Sequence, residues 1–167
     1  QDAGATVVTG VAVEDFVVDD DAIVGVETDD GTVAAETVVV AAGPWTPRLM
    51  ADLGVHVPIE RTREQVLVLN PPEGFVEEYP DLVPTTGAPG GDWYMRSDFG
   101  DGVLVATHHT DETVNPDRYD GSPDQETTLE LLDELEGFAP ELAESRVKGQ
   151  YCGVYSTTPD HDFVIDQ

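Results

Sequence analysis

The sequence predicts an α+β fold: a mixed, largely antiparallel sheet with a few helices, joined to strands of a second, open sheet. Three observations predict it. Short β-rich runs alternate with tight turns near the start, Val38–Ala42 is a continuous apolar run suited to a strand buried on both faces, and one helix pattern follows Ser122.

Taken in order, Val7–Phe16 is β-rich, Asp19-Asp20-Asp21 is a polar turn, Ile23–Glu27 is a strand, and Asp29-Asp30-Gly31 signals a hairpin before Val33. Gly43-Pro44-Trp45 ends the Val38–Ala42 strand, and Thr46 then caps a short helix with Pro47 at its first position, stopping at Gly54. Val57–Leu69 reads as a long strand closed by Asn70-Pro71-Pro72, and Thr85–Gly91 as a loop. Asp92–Arg96 and Val103–Thr107 form two strands around the turn Asp98–Gly102. Ser122-Pro123-Asp124-Gln125 is a capping box, with Leu129, Leu132 and Leu135 following at helical spacing. Gly149–Tyr155 and Phe163–Ile165 read as strands separated by the turn Thr158-Pro159-Asp160.

Composition narrows the function. The chain has 167 residues, 40% of them hydrophobic, enough for a folded core. Acidic residues number 35 against 7 basic, a net charge of −28, with Lys148 the single lysine. Nucleic acids and anionic membranes need clustered Lys and Arg, so both are excluded as partners. The acids are spread along the chain and form no Asp-x-Asp-x-Asp-Gly loop, which favours solvation in concentrated salt over a cation site. At molar salt the Debye length falls to about 3 Å, and the self-repulsion is largely screened. No apolar run approaches the roughly 20 residues of a membrane span, and no secretory signal pattern is visible. The lone Cys152 excludes an internal disulfide and a zinc-type cysteine cluster, so the expected compartment is the cytoplasm.

Several residues are candidates for chemistry. Ala41, Ala42 and Gly43 put small side chains at the carboxyl end of a strand, where open α/β sheets bind cofactors, although a strand ending in a packing turn is the plainer reading of this segment alone. Gly87-Ala88-Pro89-Gly90-Gly91 lacks the spacing and following helix of a phosphate cradle. Tyr94 and His109 lie on or just beyond a predicted hairpin, which can bring them into one pocket to orient an amine or move a proton near neutral pH. A surface histidine pair at a strand end is the plainer alternative. Neighbours on a strand face opposite ways, which argues against metal binding by His108 and His109. Arg96 can grip a carboxylate by its fork or form a surface ion pair. Cys152, in an apolar stretch, reads as a buried small hydrophobe.

Three segments in order resemble the sarcosine oxidase branch of the D-amino-acid-oxidase-like flavoenzymes. Gly4-Ala5 through Thr9-Gly10 and Val13, with Val38–Trp45 (VVVAAGPW), is similar to the part flanking FAD. Trp93–His109 (WYMRSDFGDGVLVATHH) resembles the substrate-domain hairpin whose Tyr and His face the flavin, at the same fifteen-residue spacing. Tyr155–Asp166 (YSTTPDHDFVID) resembles the run that returns to the cofactor.

The resemblance implies an FAD-dependent amine oxidoreductase acting on sarcosine or a related N-methyl or D-amino acid by hydride transfer to flavin. It implies residues 1–44 in a Rossmann-like FAD-binding domain, 45–150 in a substrate-binding domain and 151–167 returning toward the first. It assigns Tyr94 and His109 to catalysis, Arg96 to the substrate, and Val13, Ala41, Ala42, Gly43 and Trp45 to the cofactor. It also implies an internal piece of a longer enzyme: a small-molecule amine is the substrate, the remainder of the flavoenzyme is the partner, and this stretch alone is inactive and retains FAD weakly or not at all. Val105 stands where the family's oxidases carry a lysine linked to dioxygen, which favours a dehydrogenase. Gly153 stands where they tether FAD through cysteine, which implies noncovalent FAD. The competing expectation is a non-catalytic, acidic, salt-adapted ligand-binding domain.

Overall fold

A computed structural model of the chain describes residues 3–75, 93–98, 102–108 and 110–165. Contacts divide the chain into two compact units, Gln1–Pro58 and Ile59–Gln167.

The first unit is an antiparallel meander of β1 (Val13–Asp19), β2 (Ala22–Thr28) and β3 (Gly31–Ala34), in that spatial order. Its first turn holds Asp20 and Asp21 at φ 48° and 64°, a left-handed pair that aspartate tolerates better than most residues. At the second, Gly31 takes φ 119°, and the Thr28 hydroxyl donates to its carbonyl at 2.5 Å. The expected strand at Val38–Ala42 does not form: these residues lie outside any strand and Val39 is 85% exposed. An apolar run becomes a strand only when a neighbouring backbone pairs with it, and no described residue supplies that ladder. A 3-10 turn at Gly43–Trp45 leads instead into α1 (Thr46–Ala51), where Trp45 occupies the cap position and Thr46 is already helical.

The second unit is built on a four-stranded antiparallel sheet ordered β5-β6-β4-β7, from β4 (Glu60–Asn70), β5 (Trp93–Ser97), β6 (Val103–Thr107) and β7 (Arg146–Thr157). Alternation sends Leu67, Leu69, Trp93, Met95, Val103 and Val105 to one face, where Leu131 and Leu135 of α2 (Gln125–Phe138) and Leu142 of α3 (Pro140–Ala143) complete a buried core. The opposite face carries Val66, Leu104 and Ala106, with Tyr94 packed against them.

Two expectations shift here. The cap of α2 is Asp124, two residues beyond Ser122: its carboxylate accepts from the Glu126 and Thr127 amides at 2.8 and 3.0 Å. Buried Gln65 explains the choice, because its side chain accepts from Asp124 N at 2.6 Å and donates to Asp124 O at 2.9 Å, fixing that residue at the sheet. The buried stripe of α2 is then Leu131 and Leu135, which leaves Leu129 59% exposed. The expected strand Phe163–Ile165 is likewise absent, and Phe163 is 95% exposed, again with no described ladder partner. The Thr85–Gly91 loop lies outside the described residues. No described helix is long and apolar enough to cross a membrane.

Replacing Asp124 by Ala should lower stability by about 1 kcal/mol, the usual cost of losing a helix cap. Ser122→Ala should change it little, and thermal unfolding of the two variants provides the comparison.

Candidate active-site face

Tyr94 and Tyr155 sit on opposite edge strands, β5 and β7, yet their hydroxyls meet at 2.5 Å. Edge to edge the sheet spans three strand spacings, roughly 14 Å. The two phenols therefore arch over the central strands β6 and β4. Register explains how: Tyr94 pairs with Ala106, Ala106 with Val66, Val66 with Tyr151, and Tyr155 lies opposite Thr62 on the same face. Ala106, with no side chain beyond Cβ, leaves room beneath the arch.

His108, just past the end of β6, stands edge-on to both phenols, with ring centroids 5.9 Å from Tyr94 and 6.1 Å from Tyr155. Burial pushes the Tyr155 phenol well above its ordinary range, helped by the hydrogen bond to Tyr94 and by the negative charge of Glu64. A neutral phenol pair beside an imidazole can orient a small polar ligand through hydrogen bonds and pass a proton between ring nitrogen and hydroxyl.

Glu64 completes the group from below. It is 0% exposed, and its carboxylate accepts from the hydroxyls of Thr62 at 3.0 Å, Thr107 at 2.7 Å and Thr110 at 3.1 Å, and from the Thr110 amide at 3.1 Å.

The residues singled out in the sequence fall as follows. Tyr94 is in the arch, and its aromatic partners there are His108 and Tyr155. His109 lies outside the described residues. Arg96 shares the Tyr94 face by alternation but is exposed, with a guanidinium N–H on the Ser97 carbonyl at 3.1 Å. Val13 opens β1, and Ala41, Ala42, Gly43 and Trp45 form the exposed or half-buried approach to α1, with Gly43 at φ 49°. Val105 points into the helix-covered core at 0% exposure. Cys152 is buried, its thiol 3.8 Å from Gln65 Oε1 and pushed up by burial, as a structural cysteine should be. No group of three or more His, Cys, Asp or Glu among the described residues is placed to hold a metal. Tyr155 and Glu64 were not among the candidates. Alternation along Gly149–Tyr155 was the available signal for the first, and an acid inside an apolar strand the signal for the second.

The profile of the family described as FAD dependent oxidoreductase (DAO) matches residues 1–167. The chain belongs to the FAD dependent oxidoreductase family. Among DAO relatives, monomeric sarcosine oxidase of Bacillus sp. (strain NS-129) is 31% identical over 178 residues, covering 98% of this chain and 43% of the oxidase. Glycine oxidase of Pseudomonas putida is 28% identical over 149 residues, covering 87% of this chain and 36% of that enzyme. Among solved structures, L-proline dehydrogenase from P. horikoshii superposes with a TM-score of 0.75 at 24% identity, over 95% of this chain and 41% of that one. Glycine oxidase from Geobacillus kaustophilus gives 0.71 at 22% identity, over 95% of this chain and 40% of that one. These structures share the DAO fold, and the chain spans less than half the length of the relatives it matches.

The Tyr155 shift has a consequence for this DAO chain at alkaline pH. Its folded value lies above the roughly 10 of an unfolded tyrosine, so the folded state keeps a proton that the unfolded state loses. The associated stability is complete below about pH 10 and declines as pH rises further. Urea midpoints measured across that range should fall less steeply in Tyr155→Phe.

Proposed function

We propose that this chain forms the substrate side of an FAD-dependent amine oxidoreductase that oxidises sarcosine or a related N-methyl or D-amino acid. The observation that carries it is the arch: two phenols and an imidazole from three strands converge on the sheet face opposite the helices, beside a buried carboxylate. The relatives named for sarcosine and glycine support the choice of substrate class.

Tyr94 and Tyr155 orient the substrate by hydrogen bonds, and His109, next to His108, holds or releases the amine proton. Arg96 on the same face takes the substrate carboxylate. Residues 1–44 belong to the FAD-binding part, with Val13, Ala41, Ala42, Gly43 and Trp45 as its contacts, 45–150 to the substrate-binding part and 151–167 to the return segment. The donor set fits a cofactor in part: the small, accessible side chains at 41–43 admit a ring close to the backbone, but the sequence holds no Gly-x-Gly-x-x-Gly for the pyrophosphate. FAD, when bound, supplies the acceptor for a hydride from the carbon beside the amine nitrogen. A reducing compartment, the cytoplasm, suits the buried thiol of Cys152.

In full-length, FAD-loaded protein, adding sarcosine without oxygen should bleach the flavin absorbance. Tyr94→Phe, which leaves the Tyr155 hydroxyl without its partner, should lower kcat/KM by roughly tenfold or more, the equivalent of one hydrogen bond of about 1.4 kcal/mol. A protein that binds FAD but is not reduced by sarcosine, glycine or other N-methyl or D-amino acids would refute the reading.

The surface acidity is read as an adaptation to concentrated salt, supported by a net charge of −28 with no described metal cluster. Lowering salt from molar to about a tenth of that lengthens the Debye length from about 3 to about 10 Å. The unfolding temperature should drop with it, and an unchanged value would discount salt adaptation.

A further inference from the structure

Glu64 is fully buried two residues from buried Val66 on β4, and a buried carboxylate is costly unless donors surround it. Its donors are not scattered. Thr107 ends β6 and Thr110 lies three residues on, so the carboxylate grips the chain on both sides of the histidine pair at 108 and 109. Each arm is tied again to β4: the Gln65 amide donates to Thr107 Oγ1 at 2.9 Å, and the Thr110 hydroxyl lies 2.6 Å from the Arg63 carbonyl. Beyond β6 the chain leaves the regular ladder, where a short segment is ordinarily loose. Here a bracket replaces the ladder, and the His108 ring stands beside both phenols.

We infer that Glu64 is a positioning residue, whose carboxylate fixes Thr107 and Thr110 and thereby holds His108 beside the phenols to face the substrate. This rests on the function proposed above. Glu64 itself, fully buried, does not touch the substrate; it acts through the segment it holds.

The test uses full-length, FAD-loaded protein and the variants Glu64→Gln, Thr110→Val and Thr110→Ser. Glu64→Gln keeps the shape but turns one acceptor oxygen into a donor aimed at the Thr107 hydroxyl. Amide hydrogen exchange across 107–110 should accelerate in Glu64→Gln and Thr110→Val while exchange across β4 and β7 and flavin content stay as in the parent. In both variants kcat/KM should fall roughly 10- to 100-fold, the scale of a misplaced reacting group. Thr110→Ser, which restores the hydroxyl, should recover most of that loss. Unchanged exchange and unchanged kcat/KM in Glu64→Gln would overturn the inference. Should Glu64→Gln fail to fold, equal exchange and equal kcat/KM for Thr110→Val and Thr110→Ser would overturn it instead. If the parent protein shows no amine-dependent flavin reduction, the proposed function falls, and the exchange measurement alone decides whether the bracket holds the segment.

Discussion

The register of β4 governs the second unit. All eleven of its residues pair with β7, and Val66–Leu69 pair on the other side with β6. Because side chains alternate with period two, this one strand sends Gln65, Leu67 and Leu69 toward the helices and Thr62, Glu64 and Val66 toward the aromatic face. A slip of one residue would drive Glu64 into the helix-covered core and turn Leu67 to the arch. Stability and site are therefore not separable properties here. The hydrophobic pattern that fixes the register for burial also fixes where the polar groups stand.

Two adjacent buried polar residues, Glu64 and Gln65, show how that alternation is used. Gln65 faces the helices and fastens the start of α2 through both Asp124 backbone groups and the Thr128 hydroxyl at 2.9 Å. Glu64 faces the other way and gathers threonines around the end of β6. A satisfied hydrogen bond adds only about 1 kcal/mol, whereas an unsatisfied buried group costs about 1–3 kcal/mol. Such residues add little to stability beyond what Val or Leu would provide. What they do is penalise every arrangement in which their partners are elsewhere, which selects one placement of α2 and one path for the chain after β6.

The same physics decides what was legible in the sequence. The strands of the second unit, and β2 and β3 with their turns in the first, follow from alternation and turn chemistry, both local properties. Val38–Ala42 and Phe163–Ile165 carry equally apolar patterns, but a strand is made by its neighbour, and pattern alone does not say whether a neighbour is present. Ser122 and Asp124 are both good caps by residue type, and the choice between them is made by Gln65, 59 residues away. The arch was half legible: the pairing of Tyr94 with Ala106 follows from the hairpin, while the approach of Tyr155 depends on β7 lying at the far edge of the sheet. Glu64 was the least legible, because a lone acid in an acidic chain reads as solvated surface. Only the three threonines, two of them more than 40 residues away, reveal it as buried.

The charge balance bears on the amine substrate proposed above. Arg63, one of 7 basic residues, is spent on structure: its guanidinium, 10% exposed, donates to the Asp120 and Ser122 carbonyls at 2.8 and 2.6 Å and pairs with Glu112 at 3.1 Å. A net charge of −28 attracts ammonium groups from a distance only where salt is dilute. In molar salt, the condition proposed above, a Debye length of about 3 Å would screen that long-range field before a substrate reached the surface. Discrimination would then rest on contacts shorter than the screening length, and on the proposed function the arch would make them. The half-buried hydroxyl pair at 2.5 Å, with an imidazole beside it, acts at distances where salt does not intervene. On the function proposed above, the acidic exterior and the bracketed interior would divide the work: the first would hold water and ions, and the second would carry short-range recognition.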